Sequence, residues 1–74
     1  MDYTVIYEAT PTGFSAYLPD LPGCVAAGAT RGEVERLIQS AVRMHLEGMR
    51  EDGEPLPSPS TWAGTVRVAR EAHG

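Results

Sequence analysis

Apolar and polar residues alternate in short stretches of the first half of the chain, the pattern expected of β-strands with one buried face. The first strand is predicted over residues 3–9, and residues 10–13 have the proline and glycine positions of a type I turn. A second strand follows over residues 14–18. Residues 19–23 interrupt pairing because their two prolines cannot donate a ladder hydrogen bond, and a third short strand is predicted over residues 24–27. The pattern predicts an antiparallel meander.

The first two strands carry large apolar groups on both faces. Ile6 and Tyr17 lie opposite the main apolar set of their strands. One helix can cover only one face of a sheet, so the other face would be left exposed. We therefore expect the second face to contact another subunit.

A long amphipathic helix follows the strands. Thr30 and Glu33 have the spacing of a capping box, which predicts that the helix begins at Arg31. Gly53 is suited to a left-handed cap, so the helix is predicted over residues 31–52. Apolar positions recur along it at three- and four-residue spacings, at Val34, Leu37, Ile38, Ala41, Val42, Met44, Leu46 and Met49.

The last part of the chain predicts a return to the sheet. Residues 55–60 contain three prolines and form a semi-rigid, extended connector. Residues 61–69 then alternate and predict a fourth strand, followed by a frayed tail over residues 70–74. The prediction is one α+β domain over residues 1–74, with an antiparallel sheet and one long helix.

Length and composition narrow the possible partners. A chain of 74 residues buries a small core, so association of subunits is the expected reinforcement. The single Cys24 cannot form an intramolecular disulfide, and no membrane span or secretion signal is apparent, which predicts a cytoplasmic protein. The net charge of −4 disfavours a nucleic-acid backbone as the direct partner and fits a basic protein.

Two segments, taken with the order of the predicted elements, resemble a known family. Residues 17–24 are Tyr-Leu-Pro-Asp-Leu-Pro-Gly-Cys, and residues 52–59 are Asp-Gly-Glu-Pro-Leu-Pro-Ser-Pro. Over residues 3–69 the chain resembles the HicB-type antitoxin domain, in a form restricted to the N-terminal domain. The resemblance implies a β-β-β-α-β, partial ribonuclease H-like fold that inhibits a small basic, mRNA-cleaving toxin of the HicA type by contact. Many members also carry a C-terminal DNA-binding segment, and we expect no DNA-binding domain in this chain.

The loop between the second and third strands contains three candidate partner-binding residues. The carboxylate of Asp20 either hydrogen-bonds a partner or caps its own turn through local amides. Leu21 and Pro22 either project at the loop tip as an apolar contact, or Leu21 folds back over the sheet edge.

Three further candidates lie later in the chain. Glu47 and Glu51 either hold a basic partner or form a solvated ion-pair face with Arg43 and Arg50. Trp62 either anchors an interface or is the largest packing residue of the core. The expected assembly is a homo-oligomer, either a dimer or a tetramer.

No catalytic, metal or cofactor site is predicted. Cys24 and His45 lack the paired spacing of a zinc site, so Cys24 is expected to pack as a small buried hydrophobe. A vestigial ribonuclease H-like hydrolase is one alternative function, but Asp2, Glu8 and Asp20 fall at a terminus, a strand end and a loop rather than together.

A DNA-binding regulator that acts as a dimer is the other alternative. It would need a basic strand or helix that reaches a groove of the duplex. Arg67 and Arg70 are too few cations to favour it.

Overall fold

A computed structural model describes residues 1–70 of the chain. Three strands precede one long helix: β1 spans Ile6–Thr10, β2 Gly13–Tyr17, β3 Val25–Gly28 and α1 Arg31–Glu51. The strands form one antiparallel sheet in the order β1-β2-β3. The α+β class and the meander are confirmed, although β1 begins three residues later than predicted and β2 and β3 are each shifted by one residue.

The strand register separates the two faces of the sheet. Ala16 and Leu18 point toward the helix and are buried. On the opposite face, Ile6, Tyr17 and Val25 are paired across the three strands and form a row. Tyr17 is 39% exposed and Val25 65% exposed, so this apolar row faces solvent in the single chain.

Local signals determine both ends of the helix. The Thr30 side chain accepts a hydrogen bond from the Glu33 backbone amide at 3.1 Å, which satisfies one of the amides left without a partner in the first turn. Asp52 is the C-cap, and Gly53 follows with φ +71°, a conformation that glycine adopts without strain. The predicted helix is confirmed to within one residue.

The core lies between α1 and two of the three strands. Its buried members are Ala16, Leu18, Leu21, Cys24, Val34 and Ile38. The helix packs on β2 and β3 and makes no contact with β1. Cys24 is 3% exposed, which confirms its prediction as a buried hydrophobe, and burial raises the pKa of its thiol.

The predicted fourth strand does not form. Residues 61–70 are extended but pair with none of the described strands, and Trp62, Val66 and Val68 are 85%, 87% and 81% exposed. The interpretation of Trp62 as a core residue is therefore wrong. The outer edge of β1 is unpaired among the described strands, but these residues leave the body of the protein instead of pairing with it. Residues 71–74, most of the predicted frayed tail, lie outside the described residues.

The overall dimensions reflect this projecting segment. The described chain measures 58 × 27 × 16 Å and has a radius of gyration of 15.8 Å. A compact domain of this length would have a radius of gyration of about 11 Å. We refer to residues 62–70 as the C-terminal tail.

Candidate partner-binding surface

Asp20 fastens the loop after β2 to the base of the C-terminal tail. One carboxylate oxygen accepts hydrogen bonds from the backbone amides of Ser60 and Thr61 at 2.9 and 3.1 Å. The other accepts from their two hydroxyls at 2.9 and 2.8 Å. These partners lie about 40 positions away in the chain, so Asp20 neither caps its own turn nor offers an unengaged carboxylate to a partner.

The same four hydrogen bonds stabilise the ionised form of Asp20. The Ser60 amide makes the largest contribution and the Thr61 hydroxyl the next, and together the bonds lower the pKa of Asp20 from its usual 3.8 to about 2. The carboxylate is therefore charged throughout the physiological pH range.

Two side chains at the start of the chain hold the connector from its other side. The Tyr3 hydroxyl donates to the Pro57 carbonyl oxygen at 2.5 Å. The Thr4 hydroxyl donates to the Thr61 carbonyl oxygen at 2.5 Å. The connector is thus fixed to the body up to Thr61, and the tail begins at a defined position beside the start of β1.

Leu21 is part of the core and not a contact residue. Its side chain is 1% exposed, so the prediction that it touches a partner is wrong and the alternative, that it folds back onto the sheet, is correct. Two backbone hydrogen bonds shape the loop around it: its amide donates to Leu18 at 3.2 Å, and its carbonyl accepts from Cys24 at 3.1 Å. Pro22 remains exposed at the loop tip.

The outer side of α1 combines carboxylates with exposed apolar groups. Glu47 comes nine residues after the fully buried Ile38, about two and a half helical turns, so it points away from the sheet. Met44 and Glu51 lie within one turn of it and are also exposed. Leu37, seven residues before Met44, is 44% exposed on the same flank, and Met44 is 71% exposed. We call Leu37, Met44, Glu47 and Glu51 the acidic flank.

A cleft opens on the other side of the helix, between α1 and residues 1–5, which precede β1. It has a volume of about 630 Å³ and carries Asp2, Arg43 and Arg50 among its polar residues. Its apolar lining includes Val5, Leu18, Ile38, Val42, Leu46 and Leu56. The cleft therefore differs from the acidic flank in both shape and charge.

The predicted site residues thus fall into separate regions. Glu47 and Glu51 share the acidic flank, and Asp20 contacts the residues that precede Trp62. The sequence analysis missed Tyr3, Thr4, Ser60 and Thr61 as anchoring residues. Nothing in their local spacing indicates these contacts, because every one of them joins segments more than 39 residues apart.

Neither a metal cluster nor a membrane-spanning helix is found in the part of the chain that the structure describes. Across residues 1–70, no three His, Cys, Asp or Glu side chains are grouped closely enough to hold a metal ion. None of the helical residues described forms a stretch both long and apolar enough to cross a bilayer.

Comparison with known families places the chain beside bacterial antitoxins. Residues 3–72 match the family model described as the HicB-like antitoxin of a bacterial toxin-antitoxin system. A solved structure described as the HicA3 and HicB3 toxin-antitoxin complex contains a similar fold, with a TM-score of 0.66 and 36% identity, over 80% of this chain and 69% of that one.

Individual relatives come from a phage, a bacterium and an archaeon. An uncharacterised 14.9 kDa protein of Haemophilus phage HP1 is 40% identical over 77% of this chain and 43% of its own length. Antitoxin HicB 2 of Photorhabdus laumondii is 34% identical over 82% of this chain and 44% of its own. A protein of Thermoplasma acidophilum is 34% identical over 92% of this chain and 100% of its own. The chain spans less than half the length of the first two relatives.

Proposed function

Because the chain belongs to the family of HicB-like antitoxins of bacterial toxin-antitoxin systems, we propose that it neutralises a small basic toxin of the HicA type by direct contact. The observation that carries this proposal is the similarity, in sequence and in fold, to the toxin-antitoxin complex. A binding role rather than a catalytic one follows from antitoxin membership. We also propose a cytoplasmic location, with which a buried, unpaired Cys24 is compatible.

The acidic flank is the proposed toxin-contacting surface. Residues 1–61 contain nine carboxylate side chains and four arginines, a balance that attracts a basic protein and repels nucleic acid. Within that surface, Met44 and Leu37 supply exposed apolar area next to Glu47 and Glu51. An apolar centre with charged residues at its rim is the usual composition of a protein interface.

The cleft between α1 and residues 1–5 suits a basic toxin less well. Arg43 and Arg50 line it, and a basic partner would meet like charge there. Pro22 is exposed but sits on the loop that Asp20 ties to the connector, so we propose it as a secondary contact.

Charge reversal on the helix tests this surface. The toxin is taken to be the small basic product of the neighbouring gene, and its Kd is measured by calorimetry with the unaltered chain, Glu47→Arg and Glu51→Arg. Each reversal removes an exposed ion pair worth about 0.2–1 kcal/mol and adds a similar repulsion, which predicts a Kd raised roughly 2–30-fold. The salt dependence of association should flatten at the same time.

Glu35→Arg is the matched control. Glu35 is an exposed carboxylate on the same helix, three residues before the buried Ile38, and its reversal changes the net charge by the same amount. Binding by this variant should stay within about twofold of the unaltered chain. An equal loss in all three variants would show that net charge and not the acidic flank governs binding. No complex with any small basic neighbour would refute the proposed function.

Self-association is the second part of the proposal. The apolar row of Ile6, Tyr17 and Val25, in which Tyr17 and Val25 are exposed, supports it, as do Trp62 and the other apolar residues of the tail. Side chains of this size are seldom left in contiguous exposed patches on monomers. We propose a homo-oligomer of two or four chains.

A further inference from the structure

The cleft between α1 and residues 1–5 combines an apolar interior with cationic side chains. Four of the apolar side chains that line it are half-buried, so that part of their surface is open to a ligand: Val5, Val42, Leu46 and Leu56. The volume of the cleft is about 630 Å³. Sites for small molecules in proteins have volumes of about 300–1,000 Å³, so the cleft is large enough to hold one.

The helix supplies one wall of the cleft and both of its arginines. Leu46 comes three residues after Arg43 and four before Arg50, so these three side chains are neighbours on one flank of α1. The two arginines are seven residues apart, which corresponds to about 10.5 Å along the helix axis. Gln39 adds an amide one turn before Arg43. This wall therefore places charged and hydrogen-bonding groups directly beside apolar ones.

The opposite wall is held together by hydrogen bonds within the chain. Residues at the start of the chain form it together with Leu56 of the connector. The Tyr3 hydroxyl donates to the carbonyl oxygen of Pro57, the residue after Leu56, and the Thr4 hydroxyl donates to the Thr61 carbonyl oxygen. Because these bonds already join the two segments of the wall, a ligand would not have to order them at a cost in affinity.

The balance of charge in the cleft is the reverse of that in the body of the protein. Residues 1–61 carry nine carboxylates and four arginines, but two of those arginines and only one carboxylate, that of Asp2, line the cleft. Asp2 belongs to the wall opposite Arg43 and Arg50. An anion is therefore favoured on the helix side of the cleft. Arginine is well suited to a carboxylate, because its guanidinium presents paired donors to the two oxygens.

We propose that the cleft binds a small organic anion with an apolar body, of the class of medium-chain carboxylates. The carboxylate lies between Arg43 and Arg50, whose long side chains can converge over Leu46. The hydrocarbon chain lies inside the cleft, along Val42 and Val5. This ligand site goes beyond the proposed antitoxin function and is independent of it, because the acidic flank is on the other side of α1.

Sodium decanoate is the probe for this site. Its binding to the full chain is measured by calorimetry, and circular dichroism of the same samples checks that the amphiphile does not unfold the protein. We expect saturable binding of one decanoate per chain. Octanoate should bind roughly 4–16-fold more weakly, because it lacks two methylenes and each buried methylene contributes up to about fourfold in Kd. Decyltrimethylammonium has the same apolar chain with a cationic head group, and its Kd should be at least about 10-fold higher than that of decanoate.

Charge-removing variants locate the bound carboxylate. Arg43→Gln and Arg50→Gln should each raise the Kd of decanoate roughly 3–10-fold, because each loses a charge-assisted hydrogen bond. Arg36→Gln is the matched control, since Arg36 is an exposed arginine seven residues before Arg43 that does not line the cleft, and its Kd should stay within about twofold. Asp2→Asn removes a like charge and should lower the Kd by up to about threefold. All four side chains are exposed, so the helical circular dichroism should not change.

Three results would overturn the proposed ligand site. An equal loss of affinity in all three arginine variants would show that decanoate responds to net charge and not to the cleft. Equal affinities for decanoate and decyltrimethylammonium would show that apolar area alone binds the amphiphile. No saturable binding up to about 1 mM decanoate would show that the cleft has no useful affinity for this class of ligand. In each case, formation of a complex with the toxin by the same preparation would still support the antitoxin function.

Discussion

Replacing Leu21 by alanine tests whether the loop after β2 belongs to the core or to the partner surface. The side chain is 1% exposed and packs in one cluster with Leu18, Cys24 and Ile38. Leu21→Ala removes three carbon groups, worth about 0.8 kcal/mol each on transfer from water, or roughly 2–3 kcal/mol. The cavity left in a small core adds to this, so we expect a total loss of about 3–5 kcal/mol.

That loss is large for a domain of this size. A chain of 74 residues has a free energy of unfolding of about 4–11 kcal/mol. Leu21→Ala should therefore lower the melting temperature by at least about 12 °C and leave part of the protein unfolded near 37 °C. Thermal and urea unfolding followed by circular dichroism would measure it, with all samples at one protein concentration because self-association contributes to stability.

Pro22→Ala is the control, since Pro22 is the next residue and is exposed. Its effect on the free energy of unfolding should stay below about 1 kcal/mol. If Leu21→Ala cost as little as Pro22→Ala and instead weakened toxin binding, the assignment of Leu21 to the core would be refuted.

Three further changes probe the helix and the Asp20 anchor. Thr30→Ala removes the cap of α1 and should cost about 1 kcal/mol in urea unfolding, whereas Thr30→Asn should restore it. Gly48→Ala should raise the free energy of unfolding by up to about 1 kcal/mol, because an added Cβ meets no atom within 4 Å. A lower stability of the oligomer would instead locate Gly48 at a subunit contact. The hydrogen bonds of the Asp20 carboxylate stabilise the fold above pH 3.8, and this contribution disappears as the pH falls through about 2. Acid titration of the free energy of unfolding should therefore show a difference between the unaltered chain and Asp20→Asn that shrinks over that interval.

The helix and the hairpin could be predicted from the sequence because their signals are local. Thr30 bonds the amide three residues ahead of it, and Gly53 adopts a left-handed conformation at the helix end. The turn at Pro11 and Thr12 joins directly paired strands. Such features depend on neighbours within about four positions, so a single sequence contains all the information that they need.

The roles of the candidate site residues could be assigned only from the tertiary structure. The choice between the two interpretations of Leu21 turned on whether the loop closes over the core, which periodicity does not reveal. Asp20 was recognised as a carboxylate between two prolines, yet its partners Ser60 and Thr61 lie about 40 residues away. Hydrogen bonds between distant segments leave no spacing in the sequence that would identify them.

The C-terminal tail shows most clearly what the sequence determines and what only the tertiary structure decides. Alternation in residues 61–69 established by itself that this segment has one apolar side and favours an extended conformation. Only the tertiary structure decided that the segment leaves its own sheet. The bonds at Thr61 fix where the segment begins, and beyond them its backbone pairs with none of the described strands, although β1 is an edge strand. A helix forms its backbone hydrogen bonds between residues close in sequence, whereas a strand forms them with a neighbouring strand that can lie anywhere in the sequence.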